Sequence, residues 1–229
     1  MCYNKDISIY TYVIGLVSSY LLLRNENKTL KILGCFFMIV IQMQLVEYYL
    51  WSNAKCNSKN ITITHIGALL NVIQPIMLYL AIFYYNKDIT EEHKKIMNIT
   101  LIIYLLALLL YSINLFPIGC SIVTEVSSPY LQWGWFYKKY PNFIALMFPL
   151  TLVILMYFGI DKPYNLYLSL IIMLSFIVSF IIYRNQRSFG TLWCWFAVFI
   201  PICVLLYDKY FDKYFDKYFD KYFDKYFDK

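Results

Sequence analysis

Residues 143–183 read FIALMFPLTLVILMYFGI, DKP, YNLYLSLIIMLSFIVSFIIY. Two apolar runs, 143–160 and 164–183, are parted only by Asp161, Lys162 and Pro163. At 1.5 Å of rise per residue, a helix of either run comes close to the ~30 Å thickness of a bilayer's hydrocarbon core. Neither run alternates apolar with polar residues, which argues against strands of a β-barrel. Backbone polar groups in lipid must find partners within their own segment, so the helix is the spanning form that fits. The three-residue break then predicts a tight antiparallel helical hairpin.

The same pattern recurs along the chain, in runs at about 7–23, 32–51, 63–85, 97–116, 143–160, 164–183 and 191–207. The predicted fold is all-α: an integral membrane bundle of about seven transmembrane helices over residues 1–207, followed by a low-complexity tail, 208–229. Composition agrees. The 229 residues are 61% hydrophobic and 15% charged, with mean hydropathy +0.55, whereas a soluble domain carries roughly a quarter charged residues. A cleaved signal peptide at the first run would leave six spans, but its flank mixes Lys5 with Asp6 and no small-x-small site follows. The tail repeats Tyr-Phe-Asp-Lys with a period of four. As a helix it would align aromatics at i,i+4 for the membrane surface with Lys snorkelling, but it would also stack Asp on Asp at i,i+4, which opposes helix formation, so a slipped repeat under little constraint is the simpler reading.

The net charge is +6, spread over short loops with no stripe, so nucleic acid is not an expected partner and the lipid bilayer is. With seven spans, the side of the N-terminus carries Lys5, Lys55, Lys59, Lys138, Lys139, Arg184 and Arg187. The other carries Arg24, Lys28, Lys31, Lys87, Lys94, Lys95 and Lys162 on shorter loops, together with the lysines of the tail. Positive-inside bias predicts a cytoplasmic C-terminus and an N-terminus outside or in a lumen. Cys56 and Cys120 are the cysteines of the connecting loops, and both fall on that outer side. Two readings stand open: a disulfide in an oxidising lumen, or two free thiols, because spacing does not fix pairing. Cys35, Cys194 and Cys203 read as small packing residues. Asn60-Ile61-Thr62 is a glycosylation sequon placed very near the membrane.

All five tryptophans, Trp51, Trp133, Trp135, Trp193 and Trp195, fall on one side. Interfacial Trp normally marks both faces. The alternatives are an aromatic-lined mouth, or an ordinary belt with Tyr serving the other face. Below them the second run carries Gln42, Gln44 and Glu47, and the third carries His65, Asn71 and Gln74 followed by Pro75. Gln44 and Glu47 share a helical face at i,i+3, as do Asn71 and Gln74. An ionisable residue at mid-bilayer costs roughly 2.5–3.5 kcal/mol and marks a functional site by default; Glu47, near the end of its run, costs less, so an interfacial carboxylate reaching water stands beside a site residue as an equal reading. Amides in spans more often serve as interhelical glue. The candidate ligand-binding set is therefore Gln44, Glu47, His65, Asn71 and Gln74, with Trp51, Trp193 and Trp195 at the mouth. Pro75, Pro149 and Pro201 sit inside spans and each removes a helical hydrogen bond.

Several function classes are excluded. The seventh span has no Lys for a retinal Schiff base and no Asn-Pro-x-x-Tyr element. With His65 and His93 the only histidines, no His-rich metal centre can be built. No phosphate-binding glycine loop, cofactor motif or Ser-His-Asp set appears, so an intramembrane enzyme is disfavoured. Two expectations follow. One is binding or transport of a small solute or cation through a polar site between the second and third spans. The alternative is a non-catalytic receptor-like or scaffold membrane protein.

Three segments carry a resemblance: Gln42-Met-Gln-Leu-Val-Glu47-Tyr-Tyr-Leu-Trp51, the Asn71…Gln74-Pro75 pair, and Gly190-Thr-Leu-Trp-Cys-Trp-Phe-Ala-Val-Phe-Ile-Pro201. The chain resembles uncharacterised seven-helix multi-pass membrane proteins of large (giant) DNA viruses, over about residues 1–207. The resemblance implies a viral protein acting in a host or virion membrane. It brings no activity and no assigned residues.

Overall fold

The computed structural model describes residues 4–115, 119–123, 131–134, 142–183 and 189–210. It describes the side chains of all of these except 111–115, 142–145, 183, 189–196 and 210. The chain is mostly helical. Its elements are α1 (Lys5–Arg24), α2 (Lys28–Val40), α3 (Gln42–Ser52), α4 (Ser58–Tyr85), α5 (Glu91–Leu115), β1 (Ile122–Val123), β2 (Leu131–Gln132), α6 (Asn142–Gly159), α7 (Tyr164–Tyr183) and α8 (Phe189–Tyr210). Five stretches are long and apolar enough to cross a membrane: Lys5–Arg24, Lys28–Ser52, Ser58–Tyr85, Glu91–Leu110 and Tyr164–Ile182. Leu146–Gly159 is apolar but shorter.

Polar caps extend the helices past their apolar runs. Asn4, Asn27 and Asn57 each accept a backbone N–H of the following turn, from Ile7, Thr29 and Asn60 respectively. These bonds satisfy amide groups that a helix start leaves without partners. α5 opens on Glu91 and Glu92, which suit the positive end of the helix dipole. α8 runs three residues into the repeat tail; the rest of the tail lies outside the described residues.

α2 and α3 form one rod with an interruption at Ile41, which keeps right-handed helical angles. The ladder tightens there, Gln44 N bonding to Ile41 O three residues back at 3.0 Å. The Met38 carbonyl accepts from the Gln42 side-chain amide, 2.9 Å. This rod is the centre of the bundle, 67% buried where the α5 span is 17% buried. α1 packs along both of its halves, α2 also meets α4 and α8, and the hairpin of α6 and α7 closes the bundle against α4, α5 and α8. Pro75 removes the N–H that would bond the Asn71 carbonyl. One residue on, Val72 O accepts from the buried Tyr104 hydroxyl of α5, 2.9 Å.

The bundle is inside-out relative to a water-soluble one. The buried face of α1 is Ser8, Thr11, Gly15, Ser18, Ser19 and Leu22, while Val13, Val17 and Leu21 are exposed, as are Ile102, Leu106 and Leu110 on α5. Small residues let backbones approach closely. A Cβ on Gly34 would sit 2.5 Å from Leu23 N and 2.8 Å from Leu23 Cα, both backbone atoms. At Gly15 the obstacle is the movable side chain of Ile41.

At the face opposite the N-terminus, three loops meet on Lys28. Its ammonium lies 2.8 Å from Asp88, 3.3 Å from Asp161 and 3.1 Å from the Asn86 oxygen. Asn86 is buried and donates to Gly159 O, 3.0 Å. Asp208 accepts from Tyr164, 3.0 Å, and from Asn25, 3.5 Å. The Lys28 hydrogen bond, then its charge, hold the Asp88 carboxyl below the ordinary carboxylate value. The contribution of this tie is therefore complete above the ordinary carboxylate pKa and is lost as pH falls through the lowered value.

Two outcomes follow. Gly34→Ala, which must displace backbone, lowers stability in detergent by about 1–3 kcal/mol, whereas Gly15→Ala costs less; thermal unfolding of the pair checks this. In Lys28→Met the Asp88 carboxyl titrates at higher pH than in the wild type, read by carbon NMR of labelled Asp.

Candidate functional site

Gln44 and Glu47 lie one turn apart on α3, and both are buried, Glu47 with 0% exposure. The Thr11 hydroxyl of α1 donates to Gln44 Oε1, 2.8 Å. α1 and the α2–α3 rod are antiparallel, so this bond sets their register. One turn toward the N-terminal face lie Ser8 on α1 and Glu47 on α3, at the same level and both without exposed surface. Four polar residues from two helices thus lie on two successive levels about one turn apart: Thr11 with Gln44, and Ser8 with Glu47. The cluster offers hydroxyl and amide groups and one carboxylate to a small polar ligand, or to a proton.

The structure parts the other sequence candidates from this cluster. His65 on α4 is half-buried, and its Nδ1 bonds the Ile61 carbonyl of its own helix, 2.7 Å. Asn71 is half-buried. Gln74 is 3% exposed and lines a cavity with Val40 of α2, Leu152 of α6, Ile172 of α7 and Ala197 of α8. The polar residues of the second and third apolar runs therefore serve two places, one against α1 and one deep among five helices.

The N-terminal face is covered. β1 and β2 pair antiparallel, Ile122 opposite Gln132 and Val123 opposite Leu131. Leu131 and Trp133 are buried against Met43, Val46, Leu50 and Ala68 of α3 and α4, with Trp51 at the edge. Trp51 and Trp133 thus form part of an apolar cap. Trp135 and the side chains of Trp193 and Trp195 lie outside the described residues.

Sequence reading missed what pins the cap. Asn60, a sequon residue, has 0% exposure. Its Nδ2 donates to Asn53 O, 2.7 Å, and Ser121 O, 2.9 Å, and its Oδ1 accepts from Ser121 N, 3.0 Å. The hydroxyls of Thr64 and Ser121 are 2.9 Å apart, and Gly134 N donates to Ser121 Oγ, 3.1 Å. Next to Ser121, Cys120 is disulfide-bonded to Cys56, with Cα atoms 5.5 Å apart. A Cβ on Gly134 would overlap the Gly119 backbone, so glycine is what allows the hairpin to close here. A buried Asn three residues into a helix looks like any polar helix start in sequence. The Ser8–Thr11–Gly15–Ser18 stripe was a legible signal, being small and polar at helical spacing.

Among the described residues, no three His, Cys, Asp or Glu side chains gather to hold a metal ion. Comparison of the chain with protein-family models, curated proteins and solved structures finds no match; the site is read from its own geometry.

Asn60→Ala takes the Nδ2 donor from the Asn53 and Ser121 carbonyls, leaves the Ser121 N–H with Thr64 Oγ1 alone, and lowers stability by about 1–3 kcal/mol. When the chain is expressed with this face in a glycosylating lumen, Asn60 stays unmodified, because its Nδ2 is buried and doubly bonded. An endoglycosidase-sensitive band that Asn60→Gln abolishes would contradict the cap geometry.

Proposed function

We propose that the chain is a multi-pass membrane protein of seven crossings that binds, and passes across the bilayer, a small solute or cation at the Ser8–Thr11–Gln44–Glu47 cluster. The membrane reading is supported by the apolar surface of α1, α5 and α7, where Leu170, Leu174 and Ile181 join the exposed residues named above. Soluble monomers rarely expose contiguous apolar patches beyond a few hundred Å², and a bilayer is the solvent such a surface suits. Seven crossings count α2 and α3 as one rod and include α6 and α8. The disulfide and the denser positive charge of the opposite loops support an N-terminus outside or in a lumen. The likeness to proteins of large DNA viruses adds a setting, a host or virion membrane.

The observation that carries the functional reading is Glu47, a carboxylate with no exposed surface in an apolar bundle. A carboxylate inside a span marks a substrate, ion or proton pathway by default. Gln44 and Thr11 orient the ligand, and Glu47 supplies the charge or takes up a proton. The test is solute and cation flux in proteoliposomes, wild type against Glu47→Gln at matched incorporation. Flux in the wild type that falls to the level of protein-free vesicles in the variant is the expected result. Flux unchanged by the substitution would remove the site assignment.

A second reading, a receptor-like or scaffold protein, is favoured by the use of in-span polar groups for helix association. Tyr104 reaches Val72 O between α5 and α4, Asn165 reaches Tyr157 O and Ser169 reaches Val153 O between α7 and α6. On that reading Glu47→Gln changes folding yield alone, and no solute in a broad panel moves.

A further inference from the structure

Five helices that reach the face of Lys28 end their exposed apolar surface in the same way. On α1 the exposed Leu21 is followed one turn on by the exposed Arg24, and on α8 Leu206 is followed by Lys209. On α5 the order is reversed, Lys95 standing one turn ahead of Ile99. The turn leading into α7 puts Lys162 four residues ahead of Leu166. Beyond α4 the Lys87 ammonium returns to the Phe83 carbonyl, 2.9 Å, and lies 5.7 Å over the exposed Tyr84 ring. Residues three or four apart share a helix face, so these cations border the apolar surface itself. α6 differs: Asp161 follows Tyr157 by four residues, and Lys28 holds it.

The carboxylates of this face are arranged otherwise. Asp88 and Asp161 bond Lys28, Asp208 accepts from Tyr164 and Asn25, and Glu91 holds Lys94. Among the described residues that leaves Glu26 and Glu92, each on the loop side of the cation near it, Arg24 or Lys95. The N-terminal face lacks the pattern on α1, α3 and α4. There the exposed Tyr10, Tyr49 and Ile66 are succeeded one turn outward by Asp6, Asn53 and Thr62. Lys5 adjoins Asp6, Lys59 lies a turn farther out than Thr62, and Lys55 belongs to the loop between α3 and α4.

We propose that the rim of Arg24, Lys87, Lys95, Lys162 and Lys209 binds the headgroups of anionic phospholipids. The inference rests on the membrane reading above and adds which lipid the surface selects. The apolar stems of such side chains lie along acyl chains while their charged ends reach the headgroup level. Each basic side chain near an anionic surface favours it by roughly a factor of five. Carboxylates on the same border would cancel that attraction, and here most of them are tied to protein partners. Anionic lipids concentrate in the cytoplasmic leaflet, the leaflet that positive-inside bias assigns to this face.

The test measures lipid selection by the full chain in vesicles of equal parts phosphatidylserine and phosphatidylcholine, reading the motionally restricted fraction of a spin-labelled form of each. The wild type should restrict phosphatidylserine several-fold more than phosphatidylcholine, and the preference should weaken as salt rises. The triple variant Arg24→Gln, Lys95→Gln, Lys162→Gln should bring the two lipids near parity. The triple variant Lys5→Gln, Lys55→Gln, Lys59→Gln removes the same charge from the other face and should keep the preference. Parity in the wild type, a preference kept by the rim variant, or equal loss in both variants would overturn the proposal. A chain that restricts neither lipid fails the membrane reading itself, and this inference falls with it.

Discussion

The hydrogen bond from Thr11 to Gln44 and the approach of the Leu23 backbone to Gly34 hold α1 along the central α2–α3 rod, one near each end. In the proposed bilayer, large apolar side chains do not choose between helix and lipid, because lipid tails are as apolar as leucine. What selects the packed state is close backbone approach and polar groups that lipid cannot satisfy. α1 turns its small and polar stripe, Ser8 to Ser19, to the rod and leaves most of its large apolar side chains outside, while Gly34 of α2 admits the Leu23 backbone. With α1 in place, the rod presents its other faces to α4 and α8, and the hairpin of α6 and α7 closes over them. Glu47, one turn beyond Gln44 on α3, is buried in the same bundle.

The places of the helices were legible because runs such as 143–160 and 164–183 are apolar around their whole circumference. Their ends were less so. An apolar run stops where charge begins, but a helix stops where its backbone bonds do, so α4 and α5 begin five and six residues before the runs that announced them. The interruption at Ile41 had no sequence signal at all, being neither proline nor glycine. It is a property of how Gln42 and Gln44 bond in this packing.

The candidate site was legible as a list of residues and not as a place. Gln44, Glu47, Asn71 and Gln74 were read as one group because adjacent spans are neighbours. A helix in a bundle has several neighbours, though, and sequence does not say which face meets which. Gln44 turned to α1, and Gln74 to a cavity shared by α2, α6, α7 and α8. The cap was hidden for a related reason. Its anchor, Asn60, is chemically ordinary, and only the return of residues 119–123 adds the Ser121 carbonyl and N–H to the partners it has in Asn53 and Thr64.

The two faces of the bundle are tied by different physics. At the N-terminal face the ties are a covalent bond and the buried hydrogen bonds among Asn60, Thr64 and Ser121. At the opposite face they are Lys28 with Asp88 and Asp161, carboxylates well exposed to solvent. Salt and water screen the second set and scarcely reach the first. The buried bond from Asn86 to Gly159 O is the exception at that face, out of reach of the solvent that screens Lys28. The Glu47 layer lies toward the capped end, so on the proposed transport reading a solute would meet the Asn60 network between that layer and the capped face.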